Sequence, residues 1–86
     1  MDSLLSPAQE ILIVLNRNIK HECTMSDIVS IGKMNRQTVY NNLRILLGLG
    51  LVVEKREEGF PPRRLISLTE KGRKVAEKLE EIERLL

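Results

Sequence analysis

Apolar and polar residues recur at helical spacing in the middle of the chain, between residues 35 and 48. At about 100° per residue, four apolar residues fall in one narrow stripe: Val39, Leu43, Leu46 and Leu47. Three polar residues lie roughly opposite this stripe: Gln37, Asn41 and Arg44. Asn35 is a favourable N-cap, and Gly48 is a typical end signal. The pattern predicts a helix over residues 35–47 with one buried face and one polar, basic face, and with Ile45 facing outward.

Two further helices are predicted upstream. Ser6-Pro7-Ala8-Gln9 is a capping box with proline at the first helical position, and apolar residues follow it. Ile13 widens the apolar face of this first helix, so we expect the helix to be covered on more than one side. A second capping box runs from Thr24 to Asp27, before a short helix that Gly32 is expected to end. The buried side of that helix is predicted to be Ile28, Val29 and Ile31.

The second and third predicted helices are separated only by Gly32-Lys33-Met34. Two helices joined by such a short turn that contains glycine are the sequence form of a helix-turn-helix. In that motif the second helix enters the major groove of DNA while the first braces it. The helix over residues 35–47 is therefore predicted to be a DNA recognition helix.

Short β segments surround these helices. Residues 19–23 form a connector that can add a few residues to a sheet, and residues 51–57 and 63–68 have the composition of strands. The loop Glu58-Gly59-Phe60-Pro61-Pro62 between the last two cannot be helical, so they predict a β-hairpin. Phe60 has no apolar neighbours in sequence, and it either packs back on the domain or contacts a partner.

The C-terminal segment, residues 69–86, is predicted to be a helix that Thr69 caps. Apolar residues recur in it at spacings of four, three and four: Val75, Leu79, Ile82 and Leu86. Such a seam either packs on the first helix of the same chain or pairs with a second copy. Because the chain is small, we favour pairing of part of this helix with a second copy, and we therefore predict a homodimer.

The length of the chain indicates the number of domains, and the distribution of its charge indicates the kind of partner. A chain of 86 residues is long enough for one domain, so we assign residues 1–86 to a single domain. The net charge of +2 decides little, but its distribution is informative. No acidic residue lies between Asp27 and Glu54, whereas Lys33, Arg36 and Arg44 do. The tail from residue 77 to residue 84 instead carries four glutamates. The middle of the chain is therefore basic and the end acidic.

Several classes of protein are disfavoured. The single cysteine cannot form an internal disulfide, no apolar run is long enough for a membrane span, and the N-terminus lacks a secretion signal. We therefore expect a soluble, cytoplasmic and nucleoid-associated protein with no membrane partner. His21 and Cys23 stand two residues apart, but no second His or Cys exists to complete a metal site. Cys23 is instead expected to be a small buried residue.

Enzymatic activity is not predicted either. The sequence has no glycine-rich phosphate loop after a strand and no paired carboxylates in an apolar setting. No cofactor, no metal and no small-molecule ligand are indicated.

Four cations flank the predicted hairpin loop: Lys55, Arg56, Arg63 and Arg64. Cations in such a hairpin follow a phosphate backbone or lean into a minor groove. The alternative is a solvated edge strand whose charges discourage aggregation. Beside a helix-turn-helix, contact with DNA is the favoured interpretation.

The order of elements resembles that of winged-helix transcription regulators. The run TVYxxLxxL at residues 38–46, followed by GLV at 50–52, is similar to the recognition helix and strand entry of that family. The run LTEKGR at 68–73 is similar to the junction before the last helix in MarR, PadR and related archaeal regulators. The resemblance implies an α+β winged helix-turn-helix domain in the order helix-strand-helix-helix-strand-wing-strand-helix, over nearly the whole chain.

The resemblance also implies roles for individual residues. Contacts to base edges in the major groove are expected from Asn35, Arg36, Gln37 and Asn41. Phosphate contacts are expected from Lys33, Thr38, Tyr40 and Arg44. The wing, residues 55–64, would lie on the backbone or in the minor groove. Two departures from the family stand out: we expect the extra N-terminal dimerisation helix of MarR proteins to be absent, and the wing carries two prolines, which should make it short and rigid.

The leading hypothesis is a homodimeric transcription regulator that binds double-stranded DNA at a roughly palindromic site. The first alternative is an architectural, nucleoid-type protein with little sequence preference, although the modest net charge counts against it. The second is a winged helix used only for protein interaction, which the long window without acidic residues disfavours.

Overall fold

The structure is a computed structural model, which describes residues 4–18 and 20–86. These residues form four helices and three strands in the predicted order. The helices are α1 (Pro7–Arg17), α2 (Met25–Gly32), α3 (Arg36–Gly48) and α4 (Glu70–Leu85). The strands are β1 (Glu22–Thr24), β2 (Val52–Glu57) and β3 (Arg63–Leu68). The predicted α+β winged-helix order is therefore confirmed.

Helices α1 and α2 both begin at the predicted capping boxes. The Ser6 hydroxyl accepts from the Gln9 N–H at 3.3 Å, and the Gln9 side chain accepts from the Ser6 N–H at 2.8 Å. Thr24 and Asp27 exchange the same pair of bonds at 3.1 and 3.2 Å. Each pair satisfies backbone donors that a helix start otherwise leaves unpaired, so neighbouring side chains fix where α1 and α2 begin.

The turn between α2 and α3 differs from the prediction in two details. Gly32 remains inside α2, and the left-handed residue is Lys33, with φ at 53°. The Met34 N–H closes the turn by donating to the Val29 carbonyl at 3.3 Å. Ile31, which was predicted to be buried, is exposed, because this short helix buries only the side that carries Ile28.

The three strands form an antiparallel sheet in the order β1-β3-β2. Cys23 lies opposite Ile66 and Val52 opposite Leu68, and this face covers the core. The connector predicted over residues 19–23 thus contributes β1, although residue 19 lies outside the described residues. Cys23 is buried, as predicted.

Helix α1 is the centre of the core. It packs against α2, α3, α4 and the sheet, and four of its side chains are buried: Ile11, Leu12, Ile13 and Leu15. The expectation that it is covered on more than one side is therefore confirmed. At its end, Arg17 bonds Glu80 at 3.2 Å and also Glu83, which ties α1 to the later turns of α4.

A compact junction joins the end of α3 to the start of α4. The Thr69 hydroxyl donates to the Gly50 carbonyl at 2.7 Å and accepts from the Gly72 N–H at 3.0 Å. The Thr69 N–H donates to the Leu51 carbonyl at 3.1 Å. A Cβ placed on Gly72 would lie 1.9 Å from the Leu51 carbonyl oxygen. Only glycine therefore allows the two backbones to approach this closely.

Candidate nucleic-acid interface

The outer face of α3 carries most of the predicted contact residues. Its inner face is buried through Val39, Leu43 and Leu46, whereas Leu47 lies at the edge of the stripe and is partly exposed. Six side chains are exposed on the opposite side: Arg36, Gln37, Tyr40, Asn41, Arg44 and Ile45. None of them is acidic, so α3 presents amide, guanidinium and hydroxyl groups to solvent. These groups can pair with base edges and phosphates.

Two of these side chains are already linked to each other. Gln37 Nε2 donates to Asn41 Oδ1 at 2.9 Å, one helical turn apart. Both residues are exposed, so the bond limits their rotamers without removing them from solvent. Gln37 Oε1 and Asn41 Nδ2 stay available, as an acceptor and a donor one turn apart. An acceptor and a donor are what the adenine N6 and N7 edge requires.

One predicted contact residue, Asn35, also caps α3, and the two bonds nearby that involve Thr38 use only its backbone. Asn35 Oδ1 accepts from the Thr38 N–H at 2.8 Å and so caps α3. The Asn42 amide donates to the Thr38 carbonyl at 2.7 Å. Asn35 therefore uses one lone pair of Oδ1 for the cap, and Thr38 is only partly exposed.

The four predicted wing cations lie on the two strands of the hairpin and on both of its faces. Arg56 lies directly opposite Arg64, on the face that continues from Ile66 toward α3. Lys55 and Arg63 occupy the other face, because successive side chains of a strand alternate. Strand alternation alone divides each adjacent pair of cations between the two faces, but only the strand register shows that Arg56 and Arg64 share one of them.

Two of the wing cations are paired with carboxylates. Arg64 Nε lies 3.2 Å from Glu54, and Arg63 lies 2.8 Å from Glu57. These pairs are exposed, so they contribute little to stability, but they neutralise charge. Lys55 and Arg56 have no ion-pair partner among residues 4–18 and 20–86. Of the seven cations predicted to contact DNA, five are unpaired within that part of the chain: Lys33, Arg36, Arg44, Lys55 and Arg56.

A cleft of about 240 Å³ separates α3 from the hairpin. Tyr40 and Arg44 line it from α3, and Glu54 and Arg64 line it from the hairpin. Its floor is apolar: Met25, Leu43, Leu47 and Ile66. Because Arg56 and Arg64 lie opposite each other, their like charges repel, and an anion beside them is favourable. Glu54 supplies one such anion, and a phosphate can supply another.

Sequence reasoning left the position of Phe60 open, and the structure decides it. The ring does not pack back on the domain, since Phe60 is fully exposed at the tip of the hairpin. Ile45 is also exposed, beside Asn41 and Arg44, as predicted. The sequence contained an indication that Phe60 is exposed, because every residue from 54 to 58 before it is charged and offers no apolar surface to pack against.

The C-terminal seam divides between two environments. Leu79 is 7% exposed and belongs to the core of the single chain, and Val75 packs partly against that core. Ile82 is 46% exposed and Leu86 is 66% exposed. Leu79 therefore has little surface left for a second copy, whereas Ile82 and Leu86 keep theirs. Pairing of α4 with another chain stays a prediction.

Titratable and metal-ligating groups do not form a second site. Burial, followed by the charge of Asp27, raises the pKa of the Cys23 thiol, which keeps it protonated and unreactive. In the part of the chain that the structure describes, no group of three or more His, Cys, Asp or Glu side chains could hold a metal ion. Within those same residues, no helix combines the length and apolar character that a membrane crossing requires.

The sequence from residue 10 to residue 86 matches the ArnR1-like winged-helix domain family. The chain belongs to this family. The resemblance to winged-helix regulators that the sequence indicated is therefore confirmed. No curated protein has a matching sequence.

Several solved structures resemble this ArnR1-like domain. Sso10a-2, a DNA-binding protein from Sulfolobus solfataricus, is 23% identical with a TM-score of 0.73, over 90% of this chain and 78% of that one. A MarR-family protein from Porphyromonas gingivalis is 28% identical with a TM-score of 0.72, over 87% of this chain and 72% of that one. ZitR from Lactococcus lactis is 25% identical with a TM-score of 0.80, over 95% of this chain but only 60% of its own.

Proposed function

We propose that this ArnR1-like domain is a transcription regulator that binds double-stranded DNA, with α3 in the major groove. The observation that carries the proposal is the outer face of α3, where exposed amides and arginines stand without any acidic residue beside a hairpin with unpaired cations. The likeness to a DNA-binding protein and to a MarR-family protein supports it. The domain would act as the regulator's DNA-binding part.

Sequence discrimination is assigned to the first turns of α3. Gln37 and Asn41, linked by their hydrogen bond, offer an acceptor and a donor that would suit adenine, and Arg36 would bind guanine. Each such contact contributes about 1–3 kcal/mol of discrimination against a wrong base. Asn35 would contribute chiefly through its Nδ2 group, since its oxygen already accepts the cap bond. Ile45 would contact a thymine methyl group or a sugar.

Affinity is assigned to the unpaired cations. Lys33 and Arg44 flank the outer face of α3, and Lys55 and Arg56 extend the positive surface along the hairpin. The Tyr40 hydroxyl, at the cleft, would donate to a phosphate oxygen. Because each neutralised phosphate releases counterions, the logarithm of the binding constant should fall by about 0.9 per contact for each decade of salt.

A homodimer through the end of α4 completes the proposal. Ile82, Leu85 and Leu86 are exposed there, by 46%, 86% and 66%. A symmetric dimer would present two copies of α3 to a roughly palindromic site, with half-sites about one helical turn apart. Ile82→Asp should therefore lower the mass in sedimentation equilibrium to that of a single chain. Leu49→Asp, at a similarly exposed apolar position, is the control and should leave the mass unchanged.

Selection of bound sequences from a random duplex library tests the groove assignment. The wild-type chain should recover a palindrome, and the double variant Gln37→Ala, Asn41→Ala should lose preference at the positions that those residues contact while retaining general affinity. A recovered pool without any consensus would overturn sequence-specific binding and leave the nucleoid-type alternative. An absence of duplex binding at low salt would overturn the proposal altogether.

The salt dependence of binding tests the phosphate assignment separately. Arg44→Ala should weaken binding to all sequences and reduce the salt slope by about one contact. Arg73→Ala removes an equally exposed cation on α4, outside the proposed surface, and serves as the control. Equal slopes for the two variants would contradict the assignment of Arg44.

A further inference from the structure

Phe60 is the one large aromatic ring that the described chain leaves wholly in water. The residue stands at the tip of the hairpin, where its apolar neighbours are Pro61 and Pro62 and the strands beyond them carry charged side chains. A protein-binding surface normally joins several apolar side chains in one patch, which this tip lacks. The ring is therefore an isolated apolar projection among charged residues.

The backbone next to the ring is restricted. Gly59 permits the turn before the ring, with φ at 147°, which residues with a side chain rarely adopt, and the restriction itself comes from the residues after the ring. Pro61 and Pro62 follow directly, and their rings fix φ. The pair formed by Glu57 and Arg63 closes the base of the loop at 2.8 Å. The tip therefore holds the ring out from the hairpin in a defined position, which reduces the entropy lost on contact.

The tip lies on the side of the molecule that carries α3. Pro62, Arg63 and Arg64 line one concave surface together with Arg36, the first residue of α3. Unpaired cations at Lys55 and Arg56 lie along the hairpin just behind the tip. Glu57 and Glu58 lie closer to the tip, but over residues 54–64 four cations outnumber three glutamates, so the hairpin keeps a net positive charge that suits a polyanion. The position of the tip suits the groove next to the one that α3 occupies.

We propose that Phe60 is an apolar wedge that enters the minor groove of DNA and partly opens a base step. The minor groove is about 6 Å wide, so it admits a single ring on a thin hairpin tip but not a second helix. Apolar wedges of this kind bend the duplex, and phenylalanine is among the residues that supply them. Lys55 and Arg56 would hold the phosphates beside the opened step. This inference rests on the proposed function.

Tryptophan at the tip gives a direct probe, because the chain contains no natural tryptophan. In Phe60→Trp the indole should be quenched when a mixed-sequence duplex is added at low salt, since stacking on bases quenches its emission. Leu49→Trp places the same probe at an exposed site at the opposite end of the hairpin and should not respond. Binding of the duplex without any change in the Phe60→Trp emission would overturn the wedge.

The bend in the duplex, measured by energy transfer between labelled ends, is the second test. Phe60→Ala should reduce the bend and weaken binding about tenfold, whereas Phe60→Leu should keep most of the bend because leucine also serves as a wedge. Arg56→Ala should weaken binding and leave the bend unchanged. An unchanged bend and affinity in Phe60→Ala would overturn this inference alone, whereas a wild-type chain that binds no duplex would overturn the proposed function first.

Discussion

Replacing Gly72 with alanine should destabilise the fold strongly, although Gly72 lies inside a helix. The added Cβ would stand 1.9 Å from the carbonyl oxygen of Leu51. Carbon and oxygen atoms that are not bonded stay about 3.3 Å apart or more, so the backbones must separate by more than roughly 1 Å. The Thr69 N–H donates to the same Leu51 carbonyl at 3.1 Å, and the Thr69 hydroxyl donates to the Gly50 carbonyl at 2.7 Å. A separation of this size therefore breaks or weakens both bonds.

The magnitude follows from these contacts. Two weakened hydrogen bonds cost about 1 kcal/mol each, and overpacking adds about 1–3 kcal/mol. The higher helix propensity of alanine offsets about 1 kcal/mol of that loss. The free energy of unfolding should fall by about 2–4 kcal/mol, a large part of the roughly 4–13 kcal/mol expected for a domain of this size. The melting temperature should fall by about 10–25 °C.

Thermal and urea denaturation of Gly72→Ala measure the loss. Gly48→Ala is the matched control, because Gly48 is also helical and a Cβ there meets nothing within 4 Å. That control should range from unchanged to about 1 kcal/mol more stable. If Gly72→Ala were as stable as the wild type, the close approach of the α4 backbone to Leu51 would be wrong.

Three further results are expected. Thr69→Val should lower the free energy of unfolding by about 1–2 kcal/mol in urea titrations, because it loses both the cap and the bond to the preceding loop, whereas Thr69→Ser should retain most of the stability. Burial raises the pKa of Cys23 in the folded state above its ordinary value of 9.0, so its contribution is present below that pH and lost as the pH rises above it. Urea titrations below and above that pH should therefore show that the free energy of unfolding falls less at high pH in Cys23→Ala than in the wild type. Equal decreases in the two proteins would contradict this. Glu54→Gln should tighten binding to every duplex and steepen its salt dependence, because it frees Arg64 from its ion pair; unchanged binding would exclude Arg64 from the interface.

Local chemistry made much of the fold predictable. The capping boxes at Ser6 and Thr24 fix helix starts through bonds between residues three apart, so a short window of sequence contains all the information. The apolar stripe of α3 is equally local, and Val39, Leu43 and Leu46 are buried as predicted. The exposed polar face of α3 followed from the same periodicity.

Features that depend on tertiary register were not predictable. Whether Arg64 meets Glu54 depends on the pairing of β2 with β3, and a slip of one residue would move each side chain to the other face. The register also decides which wing cations share a face, since it sets Arg56 opposite Arg64. Leu79 shows a related limit, since a heptad seam does not specify whether α1 or a second copy covers it.

The junction at Thr69 makes α3 and α4 one mechanical unit instead of two helices joined by a flexible linker. In the proposed dimer, the orientation of the contact at Ile82 is therefore fixed relative to the outer face of α3. Inserting one residue into α4 between Leu79 and Ile82 would leave Leu79 in the core but turn the second copy by about 100° and shift it by about 1.5 Å. The preferred spacing of half-sites would change in step, so operator geometry could be tuned by the length of one helix with no change to the residues that contact bases.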